Sequence, residues 1–74
     1  MRNIVGPQVR EARLAHNPKL TQEDLAARLQ VLEMNIDRAG VAKIEIGLRK
    51  VCDMEVVKLA EALGVTAAWL LGEE

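Results

Sequence analysis

Ile36-Asp37-Arg38-Ala39-Gly40-Val41-Ala42-Lys43-Ile44-Glu45-Ile46-Gly47 decides how this chain folds, because several helix signals coincide in it. Asp37 is a good N-cap, since its carboxylate can accept from the free backbone N–H groups of a first helical turn. Ile36 before it and Val41 after it have the spacing of a hydrophobic staple, which sets the angle at which the chain enters the helix. Val41, Ile44 and Leu48 recur at i, i+3 and i+7, predicting one apolar side, with Arg38, Ala39, Ala42 and Lys43 on the other. Gly47 is placed to stop the helix in a left-handed cap. The spacing predicts a short helix over about 37–46, with small residues and two long cations on its free face, a shape that fits a groove.

Working outward, Gly6-Pro7 marks the start of a first helix, with Pro7 at the first helical position, where its missing N–H costs nothing. Val9 and Ala12 would face inward, and Asn17-Pro18-Lys19 ends the helix near His16. Thr21-Gln22-Glu23-Asp24 is a capping-box variant, Thr21 capping and Asp24 reaching back. It opens a second helix that buries Leu25, Ala26 and Leu29 and runs to about Leu32. A turn through Met34-Asn35 then delivers Ile36 to the staple. Leu48-Arg49-Lys50-Val51 is a basic connector. A fourth helix starts near Cys52-Asp53 with Glu55 assisting the cap, shows an apolar face of Val56, Val57, Leu59, Ala60 and Leu63, and ends at Gly64. Thr66 caps a short fifth helix, Ala67 to Leu71, whose Trp69 and Leu70 fill the core. No strand pattern, repeat or low-complexity tract appears, so the expectation is an all-α domain spanning 1–74.

Composition narrows the function classes. The chain has 74 residues, half of them apolar, and Trp69 is its one aromatic, so the core must be aliphatic. With one cysteine, Cys52, no intrachain disulfide can form, and a reducing cytoplasm is expected. No apolar run reaches the roughly 18 residues of a membrane span, and the N-terminus is too polar for a secretory signal. The net charge of −1 hides an asymmetry. From Met1 to Cys52 nine cations face six anions, a net +3; from Asp53 onward one cation faces five anions, a net −4. Such a chain can present a basic face to a phosphate and an acidic back. Enzymatic chemistry is not expected. There is no Ser or Tyr, His16 and Cys52 belong to no linked pattern, no Gly-rich phosphate loop occurs, and neither a metal nor a cofactor is implied.

In this order the elements resemble the lambda-repressor-like helix-turn-helix family, the Cro/C1 or Xre type of bacterial and phage regulator. The marks are Val9-Arg10-x-x-Arg13, Leu20-Thr21-Gln22-Glu23-Asp24-Leu25-Ala26, Ile44-Glu45-x-Gly47, Leu59-Ala60-x-Ala62-Leu63-Gly64-Val65 and Trp69-Leu70-Leu71. Thr-Gln-Glu alone caps many helices; five such stretches in order, across Val9 to Leu71, are far more specific. The resemblance implies a five-helix DNA-binding domain whose second and third helices form the helix-turn-helix, the third lying in the major groove. Carried over position by position, Arg38 and Ala39 meet base edges, Lys43 sits one turn on, and Gln22 approaches a phosphate. Arg49 and Lys50 follow the recognition helix where relatives touch the DNA backbone. By chemistry Arg38 can make a bidentate contact to guanine, Lys43 can reach a guanine or a phosphate, and Ala39 or Ala42 can meet a thymine methyl. The resemblance further implies an ion pair between Arg13 and Glu45, two unrelated surface charges being the other reading.

Two departures stand out. About five extra residues lie between Leu29 and Ile44, and Gln30 stands where a turn glycine is expected, so the turn between helices 2 and 3 is elongated. Ala39 and Gly40 fill places that often carry longer polar side chains, which leaves more of the selectivity to phosphates and DNA shape. The expected partner is a palindromic operator in double-stranded DNA, bound by a repressor-type homodimer that meets near Val65, Trp69, Leu70 and Leu71. The competing expectation is a protein-interaction module on the same fold, such as an antitoxin with a small protein partner.

Overall fold

The structure is a computed structural model and describes residues 3–73. Arg2 and Glu74, both counted in the charge asymmetry, lie outside the described residues. The described chain runs through α1 (Gly6–Ala15), α2 (Gln22–Val31), α3 (Arg38–Glu45), α4 (Asp53–Leu63) and α5 (Ala67–Leu70), and no strand occurs among the described residues. Among the described residues no helix is long and apolar enough to cross a membrane.

Local chemistry accounts for the helix ends. Thr21 and Asp24 form a reciprocal capping box at α2, with Asp24 N donating to Thr21 Oγ1 at 3.0 Å and Thr21 N to Asp24 Oδ2 at 2.9 Å. Asp37 accepts from Gly40 N at 2.8 Å and starts α3. Glu55 accepts from Cys52 N at 3.2 Å at the start of α4. Thr66 accepts from Trp69 N at 3.0 Å at α5. Gly64 and Gly47 take φ values of 70° and 81°, conformations that glycine enters without a Cβ penalty. α1 starts one residue earlier than its proline suggests, at Gly6.

The core is one aliphatic cluster. Val9, Leu25, Leu29, Val41, Ile44, Leu59 and Leu70 are fully buried, with Trp69 packed against them from the side. α3 rests on α1 and α2, while α4 packs on α1, α2 and α5. Three expectations are corrected. Leu48 is exposed, because the left-handed turn at Gly47 ends the helical phase that would have carried it inward. Val57 is also exposed, and Ala62 takes its place on the buried side of α4, since an apolar stripe broader than the contact leaves one edge in water. Trp69 is half-buried, and Leu70 alone of that pair is fully interior.

The elongated turn between α2 and α3 is built, not loose. Leu32 N donates to Arg28 O and Leu29 O, Glu33 adopts φ 66°, and Met34 N returns to Leu29 O at 2.9 Å, closing the helix end. Gln30 Nε2 then donates to Ile36 O at 2.7 Å, so the side chain at the expected glycine position ties the turn to the residue that enters α3. Met34 and Ile36 are both buried. The additional residues therefore contribute two apolar anchors and leave α3 packed against α2.

Candidate nucleic-acid interface

α3 presents two faces. Val41 and Ile44 are fully buried, whereas Arg38, Ala39 and Lys43 are exposed and Ala42 is half-buried. Its C-terminal end is held by a polar joint centred on Glu45, whose side chain is 1% exposed. Arg13 Nε donates to Glu45 Oε2 at 2.7 Å and Arg13 Nη2 to Oε1 at 3.1 Å, a bidentate pair. Arg13 Nη1 donates to Leu20 O at 3.0 Å, linking the joint to the α1–α2 connection. Arg13 and Glu45 are therefore not two unrelated surface charges: the pair is interior, and every buried side-chain N or O among the described residues has a partner.

Gln22 enters the same joint. Its Nε2 donates to Glu45 Oε1 at 3.0 Å, so one amide hydrogen is committed inside the protein while the second hydrogen and the carbonyl oxygen remain as bonding capacity. Arg10 also approaches Glu45, at 3.9 Å, with its side chain mostly in solvent. Arg10, Lys19, Gln22 and Arg38 then border one open cleft beside the N-terminus of α2. Arg38 borders a second cleft as well, shared with Gln30, Asp37 and Ala39 between α2 and α3. Arg10 and Lys19 are absent from the residue set that sequence reasoning selects. A cation one turn before Arg13 was the available signal for Arg10; Lys19 sits in a connection whose path only the fold reveals.

Arg49 and Lys50 separate. Lys50 is exposed, but Arg49 is half-buried and its guanidinium donates to both Glu55 oxygens, at 3.1 and 3.2 Å. A phosphate would have to compete with that carboxylate. The Arg49 guanidinium holds the Glu55 carboxyl below its ordinary value, the Cys52 hydrogen bonds add to this, and partial burial opposes it. Asp24 is lowered as well, first through its hydrogen bonds with Thr21 and then through the nearby Arg28 charge.

Gly40 has a packing role. A Cβ there would lie 2.4 Å from Ile36 Cγ1, so the staple residue occupies the space a side chain would need. The missing polar residue at this point of α3 is thus a consequence of how α3 is entered. Among the described residues no group of three or more His, Cys, Asp or Glu side chains is arranged to hold a metal.

Two helices joined by a turn, the second exposed along one face and braced from behind by the first helix and a buried ion pair, define a helix-turn-helix domain of the DNA-binding kind. The Cro/C1-type helix-turn-helix family matches residues 9–70, and the chain belongs to it. Comparison with curated proteins and with solved structures finds no match.

Proposed function

We propose that this chain is the DNA-binding domain of a cytoplasmic transcriptional regulator of a bacterium or phage, a repressor that binds duplex DNA sequence-specifically as a two-fold dimer on a palindromic operator. α3 enters the major groove, Arg38 reads a guanine edge, Ala39 and Ala42 meet thymine methyls, and Lys43 reaches a base or a phosphate. Gln22 and Lys50 contact the phosphate backbone, Arg10 and Lys19 extend that contact, and Arg49 joins only by leaving Glu55. The observation that carries the reading is the two-sidedness of α3: Val41 and Ile44 are fully buried while Arg38 and Lys43 stand in solvent.

Base contacts are few, so phosphates and DNA shape supply much of the affinity, and the binding constant should fall steeply with salt. Selection from random duplex DNA tests the proposal, since it returns site, symmetry and half-site spacing together. A palindrome with half-sites about 34 Å apart is expected. On the selected site Arg38→Ala should lose about 1–3 kcal/mol against the correct base and little on scrambled DNA. Lys50→Ala should weaken both sequences alike. Equal losses on both for Arg38→Ala would remove its reading role.

A further inference from the structure

Arg38 borders two open clefts, and Glu23 is the one other residue that borders both. Arg10, Lys19 and Gln22 join them around the cleft beside the N-terminus of α2; Gln30, Asp37 and Ala39 join them around the cleft between α2 and α3. Of the two carboxylates on these borders, Asp37 is committed to Gly40 N as the cap of α3. Glu23 lies in the first turn of α2, is exposed, and takes no part in the Thr21–Asp24 capping box. Among the described residues the side chains of Glu23 and Arg38 make no hydrogen bond or ion pair.

We propose that Glu23 is a specificity-determining residue: its carboxylate, shared by the two clefts, steers the Arg38 guanidinium away from phosphates and toward a guanine edge. The inference rests on the reading of Arg38 as the base-contacting cation and adds what makes that cation choose. The planar fork of an arginine fits a phosphate as well as it fits guanine O6 and N7. Only the phosphate is an anion. Two like charges about 4 Å apart in water cost a factor of about five in binding, an effect that salt weakens. A carboxylate beside Arg38 therefore penalises the phosphate and leaves the neutral base edge untouched, which is selectivity gained by disfavouring the wrong partner.

The neighbours show why such a steering group is needed. Arg10 and Lys19 are exposed cations on the first cleft, so a DNA backbone drawn to them comes within reach of Arg38 as well. Gln22 cannot sort the two partners, because it carries no charge and one of its amide hydrogens goes to Glu45 at 3.0 Å. Lys43 borders neither cleft, so the restraint falls on Arg38 and not on the second cation of α3.

Anisotropy titrations of the selected and the scrambled duplex, at about 0.1 M salt, test the assignment. Glu23→Gln should tighten binding to scrambled DNA about fivefold and to the selected duplex by less than about twofold, so the ratio between them falls. In an Arg38→Ala background the same change should move scrambled binding by less than about twofold, whereas in a Lys43→Ala background it should keep its full effect. Glu11→Gln makes the same change of net charge at an exposed position of α1 outside both clefts, and should shift neither duplex by more than about twofold. Thermal unfolding of Glu23→Gln should stay close to that of the natural chain, because the side chain is exposed and the capping box is intact. An unchanged ratio in Glu23→Gln would overturn the assignment. So would a gain that persists in Arg38→Ala, since the carboxylate would then merely repel the backbone. A natural chain that does not distinguish the two duplexes would strike the reading of Arg38 itself, and this inference with it, before any Glu23 variant is made.

Discussion

α3 is held at its two ends by different chemistry. At the C-terminal end, Glu45 is interior and gathers Arg13 and Gln22. Behind it Gly6 lies so close that a Cβ would meet the carbonyl oxygens of Ile44 and Glu45. Asn3 adds a latch, donating from Nδ2 to Ile44 O at 3.2 Å and Arg49 O at 2.8 Å. At the N-terminal end the attachments are one cap from Asp37, the Ile36 staple over Gly40 and one side-chain bond from Gln30. The end that carries Arg38 and Ala39 therefore has the milder hold, and the end remote from them has the rigid one. A buried, charged joint fixes where the C-terminal end of the helix sits; a cap, a staple and one amide bond hold its first turn.

The largest expected effect comes from breaking the rigid end. Glu45→Ala strands the Arg13 guanidinium, whose side chain is 9% exposed, and should cost about 3–5 kcal/mol. A chain of this size has a total stability of only about 4–11 kcal/mol, so the loss takes a large share. The urea midpoint measures it directly. A cost below about 1 kcal/mol would mean that the joint is not what fixes α3, and the contrast between the two ends would collapse.

The milder end gives the next effect. Asp37→Ala removes the cap on Gly40 N and should cost about 1 kcal/mol. The readout that sharpens the comparison is residue-specific: amide exchange at Gly40 and Val41 should accelerate, while exchange at Ile44, inside the rigid end, should change little. Uniform acceleration along α3 would show a helix that opens as one unit, with no soft end to speak of.

These two regions also differ in how plainly they are written in the chain. The caps were legible because capping is local: Thr21 with Asp24, Asp37 before its helix, Glu55 three residues after Cys52 and Gly64 after Leu63 each state their role within four positions. The Arg13–Glu45 pair joins residues 32 positions apart, and it was available only through family resemblance, since nothing local distinguishes Arg13 from Arg10. Periodicity found the stripes but not their edges, which is why Val57 and Leu48 were expected inside. Val5, Leu20 and Met34, all buried, sit in connections where no periodic signal operates. The side chain that fills the place above Gly40 comes from the turn that looked like an irregular insertion. Gln22 illustrates the remaining difficulty, because its helix position suggested a phosphate contact whereas its first bond in the fold goes to Glu45.

The smallest effect concerns the connector that leaves the rigid end. Arg49 and Glu55 form a partly exposed pair, with side chains 29% and 22% accessible, so Glu55→Gln should cost only about 0.2–1 kcal/mol at neutral pH. Its pH dependence has a definite sign. The folded-state pKa of Glu55 is lowered relative to the unfolded chain, so the unfolded state binds more protons in the window between the two values. The advantage over the Gln variant is complete above the ordinary glutamate value of about 4.3 and disappears as pH falls through the lowered one. Asp24 loses stabilisation in the same direction, but it is present in both proteins and cancels in the difference. Urea midpoints for the pair at neutral pH and through the acid range should therefore converge as pH falls. A gap that persists in acid would assign the Glu55 contribution to its neutral hydrogen bonds, and Arg49 would then count as a cation free to turn toward a phosphate.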